Sequence, residues 1–378
     1  MNFLSILKKE NFRPLFWAMG LGAFNDNFMR QALIALVAFG PFGLTTSEKS
    51  ALGGLSTSLL IIPFFLFSSL AGELADKESK SLLLKITKGV EVVFSLLAAY
   101  FFISGSLWLL LGTLFLMGLQ STFFGPLKYG LLPEVLDEKA LMAGNSLVGA
   151  FSFLAIVAGS VAGSFLATLK NGPNLYVPVV LSLTALLGFY YALKQPPSLK
   201  LAPNLKIDPL IFRSTLIILA DLKTRPDLLL IILAVSWFWG MGSIVLIQVP
   251  IMAASLMGTT PNVSTTLVCL LALGLGLGAL GANRLVKGET TASLTPISAF
   301  VLCLITLSLS LCLHNLPPAI PGSVGLVDFF STPIYLASAI LCFLISFTGG
   351  LFVTPLYALM QRLSEQTRRA RVIAANNI

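Results

Sequence analysis

Apolar runs of about 20 residues recur along this chain, each long enough to cross a hydrocarbon core roughly 30 Å thick. Inside lipid every backbone N–H and C=O must be satisfied within the span, so only helices or a closed barrel can cross. A barrel needs alternating apolar and polar residues in segments of about ten. These runs are continuously apolar, so they read as helices. Composition agrees: 56% of residues are hydrophobic and 11% charged, against roughly 25% charged in soluble domains. The chain is an all-α polytopic membrane protein.

Ten spans are read, over residues 14–39, 51–72, 82–104, 107–131, 141–168, 174–193, 227–255, 264–283, 293–313 and 333–361. The start, MNFLSILKKENFRP, has no small-residue cleavage site before the first long span, so that span is its own insertion signal. Basic residues alternate sides. One side takes Lys8, Lys9 and Arg13, then Lys77, Lys80, Lys85 and Lys88, then Lys128 and Lys139. The same side holds six more between Lys194 and Arg225, then Arg284 and Lys287, then Arg362, Arg368, Arg369 and Arg371. The opposite side holds only Lys49 and Lys170. The positive-inside rule therefore puts both termini in the cytoplasm. The net charge of +8 is mostly this topology signal, and no soluble domain interleaves basic and aromatic residues as nucleic-acid binding would want.

The longest cytoplasmic connection, 194–226, separates an N-terminal six-helix half (1–193) from a C-terminal part (227–378). Within it, DPLIFRSTLIILADLKTRPD has Asp208 as N-cap, Pro209 at the first helical position and mixed apolar and basic residues. This predicts an amphipathic helix on the inner membrane surface. An internal repeat strengthens the division. FLMGLQSTFFGPLKYGLLPEVLDEKALMAGNSL (115–147) and FLISFTGGLFVTPLYALMQRLSEQTRRARVIAANNI (343–378) each run from an apolar helix with central Gly through a Pro-Leu step and a charged loop into an Ala/Asn helix entry. Two parallel halves of six spans are the architecture of major facilitator transporters. On that template residues 372–378 begin an eleventh helix, and the chain reads as lacking the last two of twelve.

The stretch GAFNDNFMRQ breaks the first span. It brings Asn25, Asp26, Asn27, Arg30 and Gln31 to mid-membrane depth, where a charge costs about 2.5–3.5 kcal/mol on insertion scales and is usually functional. At 100° per residue Asp26 and Arg30 share a face, with Asn27 and Gln31 beside them. Two readings stand: an ion pair that only fixes helix packing, or the polar wall of a substrate cavity. Glu91 follows Lys88 by three residues and reads as an ion pair near the inner interface, or as a cavity acid. GLGLGALG (274–281) contains a literal G-x-G-x-x-G, but no strand precedes it, so it reads as small-residue helix packing; Gly159 and Gly163 read the same way. The four cysteines lie singly in apolar runs, and His314 is the only histidine. No metal site, cofactor loop or nucleophile–base pair is expected, and the chain does not read as an enzyme.

Six segments carry a resemblance that runs along essentially the whole chain: AFNDN (23–27), GELADKESK (72–80), GPLKYGLLPEVL (125–136), SWFWGMG (236–242), LVKGET (285–290) and GGLFVTPLYALMQ (349–361). They resemble the lysophospholipid transporter family of the major facilitator superfamily. GELADKESK resembles the superfamily loop G-x-L-A-D-R-x-G-R-K, with Gly72, Leu74, Ala75, Asp76 and Lys80 matching and Ser79 departing from the Gly. The resemblance implies movement of lysophosphatidylethanolamine-like lipid from the outer to the inner leaflet of a bacterial inner membrane, feeding a separate or fused acyltransferase. On the cavity reading Asp26 attracts the headgroup ammonium and Arg30 holds it or takes the phosphate; the resemblance implies that Gly72, Asp76 and Lys80 lock the outward-facing state against helix eleven. With that helix missing, Asp76 is expected to lack its partner. Lys128 and Tyr129, expected to end the fourth helix, read as a positive-inside signal or as a gate that pairs with carboxylates. Where family members can carry an Arg in the seventh helix, this chain has Gln248 as the nearest polar residue. Two other readings stay open: a facilitator for a small soluble solute, and a membrane scaffold for an acyltransferase.

Overall fold

The computed structural model describes residues 3–40, 42–169, 175–208, 211–316, 320 and 322–376. In chain order its helices are α1 (Phe3–Leu7), α2 (Arg13–Phe39), α3 (Thr46–Lys77), α4 (Lys80–Ser104), α5 (Leu107–Val135), α6 (Glu138–Thr168) and α7 (Tyr176–Leu193). They continue as α8 (Ile211–Lys223), α9 (Pro226–Ser255), α10 (Pro261–Leu285), α11 (Leu294–His314), α12 (Leu326–Ser331), α13 (Pro333–Leu363) and α14 (Arg369–Ala375). Among the described residues nine helices are long and apolar enough to cross a membrane. The tenth long helix, α2, has 27 residues; it falls short in apolarity because Asn25, Asp26, Asn27, Arg30 and Gln31 sit in its middle.

Local signals set the helix ends. Thr45 and Glu48 form a reciprocal capping box at the start of α3, with Thr45 N donating to Glu48 Oε2 at 2.8 Å. Ser79 Oγ caps α4 by accepting from Leu82 N. Gly105, at φ 68°, ends α4 in the left-handed conformation that a side chain resists. The α3–α4 turn is therefore only Glu78 and Ser79. Gly72 and Asp76 belong to the last turns of α3 and Lys80 opens α4, rather than lying in a loop. Lys128 and Tyr129 do not end their helix either. The helix α5 runs on to Val135 through Pro126 and Pro133, as membrane helices can when neighbours satisfy the freed carbonyls.

The described residues pack into two compact units. One comprises Lys139–Leu154 and Leu233–Leu359; the other comprises Asn2–Glu138, Ala155–Ile232 and Met360–Ile378. The second has a core of Phe28, Met29 and Leu33 from α2, Leu110, Leu114 and Met117 from α5, and Leu181 from α7. The first centres on Met252 of α9, Leu267 and Leu271 of α10, and Tyr335 and Cys342 of α13. The linker helix is present as α8, with Pro209, like Lys170, outside the described residues. Its apolar side is not wholly given to lipid: Ile218 and Leu222 are buried, and Thr215 Oγ1 bonds Ser69 Oγ of α3 at 3.1 Å.

Glycines set the closest helix approaches. A Cβ on Gly278 of α10 would run into the carbonyl oxygen of Phe347 on α13, whereas one on Gly276 would meet Ala150 only at 3.6 Å. The GLGLGALG stretch is thus a seam between helices. Gly278→Ala should therefore lower the thermal stability of the purified protein, by about 1–3 kcal/mol as other overpacked contacts do, while Gly276→Ala leaves it unchanged. Equal melting temperatures for the two variants would contradict the seam.

Candidate functional site

The polar stretch of α2 meets α4 and α5 inside the second unit. Asp26 Oδ2 accepts from Ser121 Oγ at 2.5 Å. Asn25 is fully buried and donates to Ser95 Oγ at 3.0 Å and to Glu91 Oε1 at 3.4 Å. Glu91 is the hub: its Oε2 accepts from Lys88 Nζ at 2.6 Å and from Gln120 Nε2 at 3.3 Å. Lys88 is itself fully buried, with its ammonium 4.5 Å from the Phe124 ring centroid. Gly22 is required beside it, because a Cβ there would collide with Nζ. Glu91 lies eleven residues past the start of α4, about 16 Å along the helix. The pair therefore sits toward the middle of α4 rather than in its first turn. Two lysines that count as cytoplasmic surface charge in the sequence, Lys80 and Lys88, have fully buried side chains.

Asp26 and Arg30 share a face of α2 but form no ion pair. Arg30 Nη2 donates to Asn27 Oδ1 at 3.0 Å, and Asn27 Nδ2 donates back to Ala23 O at 2.8 Å. Asp26 Oδ1 and Arg30 Nε are buried without a hydrogen-bond partner among the described residues. The arc thus offers one carboxylate oxygen and one guanidinium N–H, with Gln31 half-buried alongside. Gln248, in the other compact unit, has an exposed side chain on α9. Its unit brings together two of the resembling segments: Trp239 Nε1 donates to Tyr357 Oη at 2.8 Å.

A second polar cluster lies at the α3–α4 turn. Asp76 is fully buried and accepts from Ala370 N at 2.9 Å, Arg371 N at 3.2 Å and Arg371 Nε at 3.0 Å. It caps α14, so Asp76 has its partner after all: the next helix begins at Arg369, and its first turn suffices to satisfy the carboxylate. Gly72 admits α14, since a Cβ would stand 2.7 Å from Ala374 Cβ and 2.9 Å from Arg371 Cα. Burial pushes the Arg369 guanidinium below its ordinary range, against the pull of Glu134 and Asp76. Lys80 pairs with Glu134 at 2.9 Å. Lys128 lies over the Tyr129 ring at 4.9 Å, with no carboxylate within ion-pair distance among the described residues. One turn before Asp76, Glu73 accepts from Ser214 Oγ of α8 and from Asp208 N.

Sequence reasoning passed over Ser95, Gln120 and Ser121. Gln120 and Ser121 stand in an apolar span just as Asp26 does, and the rule that flags a polar residue at mid-span would have found them.

Long apolar helices, with buried charge in the middle of α2 and α4 and a carboxylate-capped α3–α4 turn, make a polytopic membrane bundle. The match to the Major Facilitator Superfamily model covers residues 15–378, and the chain belongs to that superfamily. It is 26% identical over 366 residues to the lysophospholipid transporter LplT of Serratia proteamaculans (strain 568), covering 96% of this chain and 82% of that protein. It is 28% identical over 378 residues to the LplT of Escherichia coli O139:H28, covering 98% and 85%. Among solved structures the fold is similar to the human organic anion transporter MFSD10 (TM-score 0.70, 15% identity, 97% of this chain and 89% of that one). It is also similar to the E. coli fucose:proton symporter FucP (TM-score 0.67, 13% identity, 97% and 88%). The named relatives are transporters and no match indicates an enzymatic family.

Removing one member of the buried Lys88–Glu91 pair leaves an uncompensated charge, which costs about 3–5 kcal/mol, whereas replacing both with apolar residues need not. Lys88→Met and Glu91→Leu should each strongly reduce the melting temperature, and the double variant should recover most of the loss. Additive losses in thermal unfolding would show that the two side chains act separately.

Proposed function

We propose that this chain moves lysophospholipid, with a lysophosphatidylethanolamine-like headgroup, from the outer to the inner leaflet of a bacterial inner membrane by alternating access. The observation that carries this reading is the pair of unpartnered buried groups on one arc of α2. Asp26 Oδ1 suits the ammonium of a zwitterionic headgroup and Arg30 Nε suits its phosphate, with Asn27 and Gln31 completing the wall. The buried hub of Asn25, Glu91, Gln120 and Ser121 holds Asp26 in place. Similarity to named lysophospholipid transporters over 96% of the chain supports the substrate class.

The halves 1–193 and 227–378 would rock about the site, joined by 194–226. Gly72, Asp76 and Lys80 would hold the cytoplasmic closure, Lys128 and Tyr129 would gate it, and Gln248 would be a contact from the second half. The acyl chain stays in apolar surroundings, because each CH₂ brought into water would cost about 0.8 kcal/mol. By the positive-inside rule both termini would lie in the cytoplasm, where an acyltransferase would re-acylate the product. The test is leaflet-specific lysophosphatidylethanolamine uptake in cells lacking their own transporter. Asp26→Ala should drop uptake to background with protein level unchanged; near-normal uptake by that variant would sink the assignment.

A further inference from the structure

A crevice on α3, α4 and α5 carries an inference independent of the transport reading. It encloses about 250 Å³ and is walled chiefly by Leu74, Ile86, Val90, Phe94 and Phe123, with Gln120 at its floor. The polar groups in the wall are satisfied within the protein. Thr87 Oγ1 donates to Leu83 O at 2.9 Å, and Gln120 Nε2 donates to Thr87 O at 3.1 Å and to Glu91 Oε2 at 3.3 Å. The crevice therefore favours an apolar occupant. Its outer side is open, where Ile86 is 52% exposed.

Its depth matches one leaflet. The wall on α4 runs from Leu83 to Phe94, about 16 Å at 1.5 Å per residue, or half of a hydrocarbon core roughly 30 Å thick. It begins at the α3–α4 turn. Lys77 stands at that end, half-buried and with no ion-pair partner among the described residues. The neighbouring Lys80, Lys88 and Lys200 pair with Glu134, Glu91 and Glu78. Lys77 is three residues beyond Leu74, on the same face of α3. An unpaired cation thus marks the polar end of the crevice. Lys85, one turn before Gly89, lies on the other side of α4, where Gly89 meets Phe189 of α7. The one carboxylate in the turn, Glu78, is already held by Lys200 at 2.5 Å, so a headgroup ammonium would find no partner there.

We propose that this crevice binds one acyl chain of a resident anionic diacyl phospholipid, with its phosphate at Lys77. The second chain remains in the bilayer. The floor residue Gln120 couples the occupied crevice to the buried Glu91 hub, so the lipid buttresses the α2 site from outside. The experiment uses the full chain in nanodiscs containing photoactivatable diacyl phosphatidylglycerol, with phosphatidylethanolamine and lysophosphatidylethanolamine probes in parallel and cross-links mapped by peptide mass spectrometry. Phosphatidylglycerol should label the Ile86–Phe94 segment in preference to both other probes, and Val90→Trp should lose that labelling. Lys77→Gln should lower the preference for phosphatidylglycerol about fivefold, whereas Lys85→Gln, on the far side of α4, should leave it unchanged. Labelling of the segment by lysophosphatidylethanolamine as strong as by phosphatidylglycerol would overturn the proposal in favour of a substrate tail path. Labelling unchanged in a folded Val90→Trp protein, or a headgroup preference unchanged in Lys77→Gln, would overturn it as well.

Discussion

Everything in the membrane half of this site depends on a neutralised charge pair. An ammonium and a carboxylate at bilayer depth are each costly alone, and Lys88 and Glu91 remove that cost by meeting at 2.6 Å with both side chains sealed from solvent. Once joined, the pair organises its surroundings. Glu91 still has acceptor capacity, and Asn25 and Gln120 use it. Lys88 has an ammonium to house, and Gly22 and the Phe124 face make the room. Three helices are thus tied together at the depth where hydrophobic packing alone gives them no fixed register, since lipid tails are as apolar as Leu.

The α3–α4 turn uses carboxylates differently. Glu73 and Asp76 lie on adjacent turns of α3, and each accepts hydrogen bonds from a separate element: α8 in one case, α14 in the other. A carboxylate that accepts backbone N–H groups at a helix start satisfies donors that would otherwise be orphaned and complements the positive end of that helix. Such contacts are local and reversible. On the proposed alternating-access reading they suit a turn that opens and closes, whereas the Lys88–Glu91 hub is buried too deeply to exchange its partners for water.

The spans were legible because continuous hydropathy is a local property: helix limits at residues 39, 104, 168, 193 and 255 coincide with those read from the chain alone. The break in α2 was legible for the same reason. What escaped notice were features created by partners far apart in sequence. Lys88 reads as a loop-side cation until Gly22 and Phe124 are seen to enclose it. Gln120 and Ser121 read as tolerated polar residues until α5 places them against Glu91 and Asp26. Asp76 was expected to lack a partner, because no local pattern shows that the first turn of α14 is enough to satisfy it.

The absence of an Asp26–Arg30 ion pair follows from this arrangement. Had Lys88 been left without Glu91, Asp26 would be the nearest carboxylate on α2 able to neutralise it, and its free oxygen would be lost. Had Asn27 not engaged Arg30, the guanidinium would be free to swing toward Asp26 one turn away. The hub and the Arg30–Asn27 bond together keep the two charges apart on a single helix face. A zwitterion can then do what neither protein group does for the other: its ammonium and phosphate each find an opposite charge, and both buried groups are neutralised in one binding event. A neutral solute would leave both groups without an opposite charge, so on the proposed reading the arc would favour a zwitterion over an uncharged ligand of the same size.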